Sequence, residues 1–239
     1  MGELPPRHSN SHAAFWLGGK VTQMTAKRIA LVTGASSGIG RAVAKALLVD
    51  GCRVILAGRN ETALGEVAAS SHAANVHVLP LDITNFPAVD TFLDQLPPAF
   101  REIDLLVNNA GHDIGGRTRF DQGPADDWTN VIETNVSGLI RVTRAVVPGM
   151  IARGRGDVIN VGSVNALRVI PDMAAYSASK AAVHAFSEWI TRRSCEHADP
   201  RHRNTAGAHA DGYCRTPLSR RPGTCRNLLR EFRHGASAR

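Results

Sequence analysis

An α/β fold with a doubly wound parallel sheet is what this 239-residue chain predicts. Three observations lead there. Short apolar runs at residues 29–32, 53–57, 76–79, 103–107 and 157–161 each lead into glycine, proline or asparagine within two residues. Stretches with helical spacing of apolar residues separate them. The first run passes through a glycine-rich turn straight into such a helix. Strand–helix alternation calls for right-handed crossovers and parallel pairing. Short runs without a polar face suit strands covered on both sides.

The first unit, KRIALVTGASSGIGR at 27–41, organises the rest. Residues 29–32 form a strand, Gly34, Gly38 and Gly40 the turn, and 39–49 a helix whose apolar face is read as Ile39, Val43, Ala46 and Leu47. The helix N-terminus offers unpaired N–H groups, and the glycines let a pyrophosphate approach the backbone, so the corner is a candidate phosphate site. Glycine-rich turns also simply close loops, and the spacing is Gly-x-x-x-Gly-x-Gly rather than GxGxxG.

Residues 53–57 are the second strand, turning through Gly58-Arg59-Asn60 into a helix with Leu64 and Val67. Residues 76–79 give the third strand, ending at Pro80-Leu81-Asp82-Ile83. A helix at 86–96 stops at Pro97-Pro98, and a fourth strand at 103–107 runs into Asn108-Asn109-Ala110-Gly111. One long helix is expected over 126–151, with Pro148 bending or closing it near its end. A fifth strand at 157–161 leads to Gly162-Ser163, and a helix from about 174 to 192 carries Tyr176 and Lys180.

Bulk properties exclude several classes. No apolar run approaches the roughly 18 residues of a membrane helix, so no membrane partner is expected. Cys52, Cys195, Cys214 and Cys225 show no metal or CxxC spacing; free thiols favour the reducing cytoplasm, and no metal is expected. The net charge of +7 lies wholly in residues 190–239, where 11 arginines face Glu196, Asp199, Asp211 and Glu231. The balanced body gives no reason to expect nucleic acid as a partner.

Taken in series, Thr33-Gly34-Ala35-Ser36-Ser37-Gly38-Ile39-Gly40, Asp82, Asn108-Asn109-Ala110-Gly111, Asn135, Ser163 and Tyr176-Ser177-Ala178-Ser179-Lys180 resemble the short-chain dehydrogenase/reductase family over residues 27–189. The resemblance implies a Rossmann-type sheet, a nicotinamide cofactor and alcohol–carbonyl interconversion. It implies catalytic roles for Asn135, Ser163, Tyr176 and Lys180. It also implies cofactor contacts from Gly34, Ser36, Ser37, Gly38, Ile39, Gly40, Asp82, Ile83, Asn109, Ala110, Gly111, Tyr176 and Lys180, with Asp82 at the adenine and Asn135 anchoring a water in a proton relay to Lys180. Homodimers or homotetramers through the two long helices are expected on the same ground. The stretch 134–150 is similar to members acting on small 3-hydroxy acids such as serine.

The side chains allow that chemistry. Tyr176 and Lys180, four apart, share a helix face, and an ammonium favours a phenolate. Such pairs also occur on plain exposed faces. Ser163 follows a buried strand at its C-terminal end, where it either holds a substrate oxygen or caps its own turn. Asn135 is a poor helix former inside a helix, where it either has a functional reason or is an exposed or backbone-bonded side chain, and Asp82 also suits a helix cap. His112 and Asp113 are read as ordinary loop residues. The second strand ends in Gly58-Arg59 without an acid; an arginine there suits a 2′-phosphate, which predicts NADP(H) over NAD(H).

Three regions are expected: a disordered leader at 1–26, a Rossmann catalytic domain at 27–189, and a basic, poorly ordered tail at 190–239. Met24 is an alternative start. The tail has no valine and no alternating run, so no sixth strand is predicted, and the fifth strand is left as an open edge. An out-of-frame end and a basic arm for an acidic partner both account for its composition. The expected function is NADP(H)-dependent hydride transfer between a secondary alcohol and a carbonyl on a small-molecule substrate. The alternative is a nucleotide-binding module impaired by its C-terminus.

Overall fold

A computed structural model describes residues 27–114, 118–168 and 170–190, and the backbone of 191–196 and 213–217. The leader at 1–26 and most of the tail at 190–239 lie outside the described residues. Five parallel strands form the body of the sheet: β1 (Ile29–Thr33), β2 (Arg53–Gly58), β3 (Val76–Pro80), β4 (Leu105–Asn108) and β5 (Asp157–Val161). Their order is 3-2-1-4-5, so the winding reverses between β1 and β4 and opens a crevice at their C-terminal ends.

Alternation along each strand feeds two cores. On one face Leu31, Ile55, Leu106 and Val158 pack on Val89 and Phe92 of α3 (Phe86–Gln95) and on Val142, Val146 and Met150 of α5 (Leu139–Ala152). On the other, Val32, Val54, Leu56 and Val107 meet Ala44 and Leu47 of α1 (Gly38–Val49) and Leu64 and Val67 of α2 (Glu61–Ala69). Each such aliphatic side chain contributes about 2 kcal/mol when fully buried. At the opposite end from the crevice, Arg28 pairs with Asp157 at 2.6 Å. There Asp104 accepts the Ile29 N–H at 3.2 Å and pairs with Arg155 at 3.1 Å. Asp104 thus precedes β4, which starts at Leu105 rather than at 103.

Four expectations are corrected. The helix expected over 126–151 is three segments: α4 (Ala125–Ile132), a π-helical stretch Glu133–Gly138, and α5. The π stretch passes tightly over Ile83: a Cβ on Gly138 would stand 2.9 Å from the Ile83 side chain. Pro148 lies inside α5 and does not close it. The buried face of α1 is Gly40, Ala44 and Leu47, while Ile39 is 48% exposed, because the close approach to the Gly34 carbonyl and Asn109 is made one position later, at Gly40. Finally, β6 (Tyr213–Pro217) does exist and pairs antiparallel with β5, from Val161↔Tyr213 to Asp157↔Pro217. It covers the edge expected to be open. Main-chain pairing with a free edge requires no apolar alternation, which is why the sequence pattern did not reveal it. The last helix, α6, spans Ala174–Glu196.

Candidate active site

The glycine corner is built by contacts across the crevice. Gly34 has φ +66°, and a Cβ there would stand 2.8 Å from Asn109 Nδ2 and 2.9 Å from Ala110 Cα. A Cβ on Gly40 would overlap the Gly34 carbonyl and Asn109 Nδ2. Asn109 Nδ2 donates to the carbonyls of Thr33 at 3.0 Å and Gly34 at 3.2 Å. In return Thr33 Oγ1 accepts the N–H groups of Asn109 and Ala110, both at 3.0 Å. The corner is therefore held rigid by the Asn109-Ala110-Gly111 loop.

This corner fits an anionic cofactor. At Gly38, φ is +51° and a Cβ would meet nothing within 4 Å, so the turn faces open space. Asn60 and Asn85 cap α2 and α3, but the N-cap of α1, Ser37, makes no side-chain capping bond, and its first turn has no acid. Its N–H groups and partial positive charge are thus available to a phosphate. The Ser36 hydroxyl lies beside the end of β2, 3.7 Å from where a Gly58 Cβ would be. The next residue, Arg59, is exposed and makes no ion pair among the described residues. Asp82 is half-buried; its Oδ1 accepts from Thr84 N at 2.9 Å and Thr84 Oγ1 at 2.8 Å, while Asn85, not Asp82, caps α3. The Ile83 side chain is buried under the π stretch.

The first turns of α6 bring the chemistry-bearing side chains to the same crevice. Lys180 is 6% exposed. Its Nζ donates to the Val161 carbonyl at 3.0 Å and lies 5.7 Å from the centroid of the Tyr176 ring. Gly111 passes beside it: a Cβ there would stand 3.7 Å from Lys180 Nζ and 2.8 Å from Asn135 Oδ1. Tyr176 is half-buried against Trp128, Val131 and Ala175. Ser163 ends the loop after β5, and its Oγ accepts the Asn165 N–H at 3.2 Å, so the capping bond of a turn serine is present.

Asn135 is 1% exposed and its amide is committed to protein groups. Oδ1 accepts the His112 N–H, and Nδ2 donates to the His112 carbonyl, both at 2.9 Å. Nδ2 also reaches Ser179 Oγ at 3.0 Å, which donates to the Tyr176 carbonyl at 2.7 Å. Asn135 thereby ties the loop after Gly111 to the tyrosine helix. His112 is accordingly more than a plain loop residue: its backbone is gripped on both sides, and its ring bridges the Asp113 carbonyl and Thr134 Oγ1, each at 3.2 Å. Below, Asn108 Nδ2 donates to Thr143 Oγ1 and Asn160 Oδ1, and Asn160 Nδ2 to Ser187 Oγ, a buried chain fixing α5 and α6 on the sheet.

Sequence reasoning missed Thr33, Ser179 and Asn165 as individual actors. Ser179, a serine inside a helix between Tyr176 and Lys180, was the nearest to a visible signal. Among the described residues no group of three His, Cys, Asp or Glu is placed to hold a metal, and no helix is long and apolar enough to cross a membrane.

Burial pushes the Lys180 ammonium below its ordinary value. Unfolding returns it to the ordinary lysine value of about 10.4, so the unfolded chain binds more protons between the two. Stability relative to a Lys180→Met variant is therefore expected to rise with pH across that window and to be flat below it. Urea denaturation of both proteins at a series of alkaline pH values measures this; parallel curves would contradict it.

Comparison with known proteins agrees with this architecture. A family model described as short chain dehydrogenase matches residues 28–200. The chain belongs to the short-chain dehydrogenase family, a family of oxidoreductase enzymes. It is 38% identical over 156 residues to a Staphylococcus haemolyticus protein carrying the name uncharacterized oxidoreductase, covering 65% of this chain and 67% of that one. A short-chain dehydrogenase from Streptomyces avermitilis superposes with a TM-score of 0.68 at 32% identity, over 72% of this chain and 62% of its own. A serine dehydrogenase in its closed form with NADP+ superposes with a TM-score of 0.67 at 36% identity, over 71% of this chain and 67% of its own. The chain thus spans about two thirds of the length of these relatives.

Proposed function

We propose that this chain interconverts a secondary alcohol and a carbonyl with NADP(H), the substrate being a small 3-hydroxy acid. One observation carries the activity: Tyr176 and Lys180 share a face of α6, with the ammonium anchored on the Val161 carbonyl two residues before Ser163 and beside Gly111. A bound nicotinamide supplies or takes the hydride. The phenol of Tyr176 gives or takes the proton at the substrate oxygen. Lys180 holds a positive charge by the ring and favours the phenolate. The Ser163 hydroxyl steadies the substrate oxygen as charge develops on it. Asn135 keeps the loop, Ser179 and the tyrosine helix in register, and its place in a proton relay to Lys180 belongs to the same proposal. Gly34, Ser36, Ser37, Gly38, Ile39 and Gly40 hold the pyrophosphate end, Asp82 and Ile83 the adenine, and Asn109, Ala110 and Gly111 the middle of the cofactor. Residues 27–189 are the working unit in this reading.

The choice of NADP(H) rests on Arg59, exposed one residue after Gly58 and without an ion-pair partner among the described residues, and on the lack of an acid at the end of β2. The NADP+ complex of the serine dehydrogenase supports it, and that protein's substrate supports the 3-hydroxy acid. Replacing Arg59 by Asp is expected to weaken NADPH at least tenfold more than NADH, since a charge-assisted bidentate pair is lost and a repulsion added. Fluorescence titration with both cofactors measures the difference; equal losses would contradict it.

Ile132, Ile140 and Trp189 are large apolar side chains left exposed on α4, α5 and α6, which supports a homodimer or homotetramer through these helices. A cytoplasmic site of action belongs to the same proposal, supported by four cysteines in the sequence without CxxC or metal spacing. The activity is tested by NADPH oxidation with a panel of 3-oxo acids, ketones and aldehydes, and by NADP+ reduction with serine and other 3-hydroxy acids. Cofactor binding without turnover of any of them would reduce the chain to a nucleotide-binding module.

A further inference from the structure

We propose that Asn165 is a positioning residue for this reaction: its buried amide sets the direction of the Ser163 hydroxyl. The proposal rests on the role given to Ser163 above. Asn165 is 6% exposed and sits in the single turn Val164–Ala166 that Ser163 begins. Two contacts join the pair. The Asn165 main-chain N–H donates to Ser163 Oγ at 3.2 Å, and Ser163 Oγ donates to Asn165 Oδ1 at 3.4 Å. The other end of the amide, Nδ2, reaches Met173 Sδ at 3.4 Å. The Met173 carbonyl accepts the N–H of Ser177, in the first turn of the tyrosine helix.

The turn itself does not require this side chain. Its capping bond uses the main-chain N–H, which any residue except proline supplies. A buried amide costs free energy unless its bonds are good, and a thioether is a weak acceptor. Neither the turn nor the packing explains an asparagine here, whereas the serine does. A hydroxyl has one proton and two lone pairs. The heavy-atom geometry lets the hydroxyl donate to Asn165 Oδ1 while one lone pair takes the Asn165 N–H. The remaining lone pair is left for a substrate hydroxyl. The bond to Oδ1 is long, so the proton is held loosely and can swing to a carbonyl oxygen. A hydroxyl with one resting direction and one alternative loses little rotational freedom when substrate arrives.

The test is a double-mutant cycle on kcat with the best substrate of the panel, alongside NADPH affinity and the thermal midpoint. Asn165→Leu keeps size and burial but removes the acceptor. Its kcat is expected to fall about tenfold, with NADPH Kd changed less than about twofold, because only orientation in the transition state is lost. Asn165→Asp keeps the acceptor and is expected to stay within about threefold of the wild-type kcat. In a Ser163→Ala background, Asn165→Leu is expected to cost less than about twofold more, because its target is gone. An unchanged kcat in Asn165→Leu, an Asp variant as poor as Leu, or losses that multiply in the double variant would each overturn the proposal. A wild type that turns over nothing in the panel overturns the activity itself, and this role with it.

Discussion

Replacing Tyr176 by Phe is expected to lower turnover about 10³-fold while leaving NADPH affinity within about threefold. The change removes one oxygen and leaves the ring in place against Trp128, Val131 and Ala175. The link from the Tyr176 carbonyl through the Ser179 hydroxyl to the Asn135 amide does not involve the phenol, so the loop anchored through His112 stays as it is. What goes is the proposed proton donor, whose phenolate form the Lys180 ammonium would favour. Stopped-flow measurement of NADPH oxidation, with a fluorescence titration of cofactor, separates the two quantities. A Phe variant within tenfold of wild type would remove Tyr176 from the chemistry.

The second large effect is expected at Gly40. A Cβ there has nowhere to go, since the Gly34 carbonyl and Asn109 Nδ2 already occupy the space. Both are backbone or tightly bonded groups rather than the far end of a flexible side chain. Gly40→Ala must therefore push the corner away from the Asn109-Ala110-Gly111 loop or shift α1. Overpacking of this kind costs about 3 kcal/mol, and the displaced N–H groups should weaken NADPH about 100-fold. Gly65→Ala is the control. Gly65 lies in α2, where a Cβ would meet nothing within 4 Å, and the change is expected to be neutral or to stabilise by about 1 kcal/mol. Chemical denaturation and cofactor titration of both variants decide the matter; equal behaviour would contradict the close approach at Gly40.

These sites differ in how far the sequence reveals them. The five parallel strands are legible because each is a short apolar run closed by a turn residue, and Gly34, Gly38 and Gly40 announce the corner by spacing. Tyr176 and Lys180 are legible because helix geometry puts residues four apart on one face. The clamps that make the corner rigid are not legible. Thr33 and Asn109 are 76 positions apart, and only the fold brings them together. The π stretch leaves no pattern of its own, and the grip of its Asn135 on the backbone of His112, 23 residues earlier, is made only in the fold. The strand Tyr213–Pro217 escaped because an edge pairs through its backbone, whatever side chains it carries. Periodicity puts Ile39 on the buried face, but the close approach across the crevice is made one position later, at Gly40, and leaves Ile39 exposed.

In the proposed reaction the phenol of Tyr176, beside the Lys180 ammonium, works on a nicotinamide held by the glycine corner. Deuterium transfer tests this most directly. The protein is incubated with NADPH carrying deuterium at C4 and the carbonyl panel, and the products are weighed by mass spectrometry. An alcohol product one mass unit heavier is expected, formed by the wild type and lost in Tyr176→Phe. A folded protein that binds NADPH yet yields no labelled product, or labels it equally without the phenol, would contradict it.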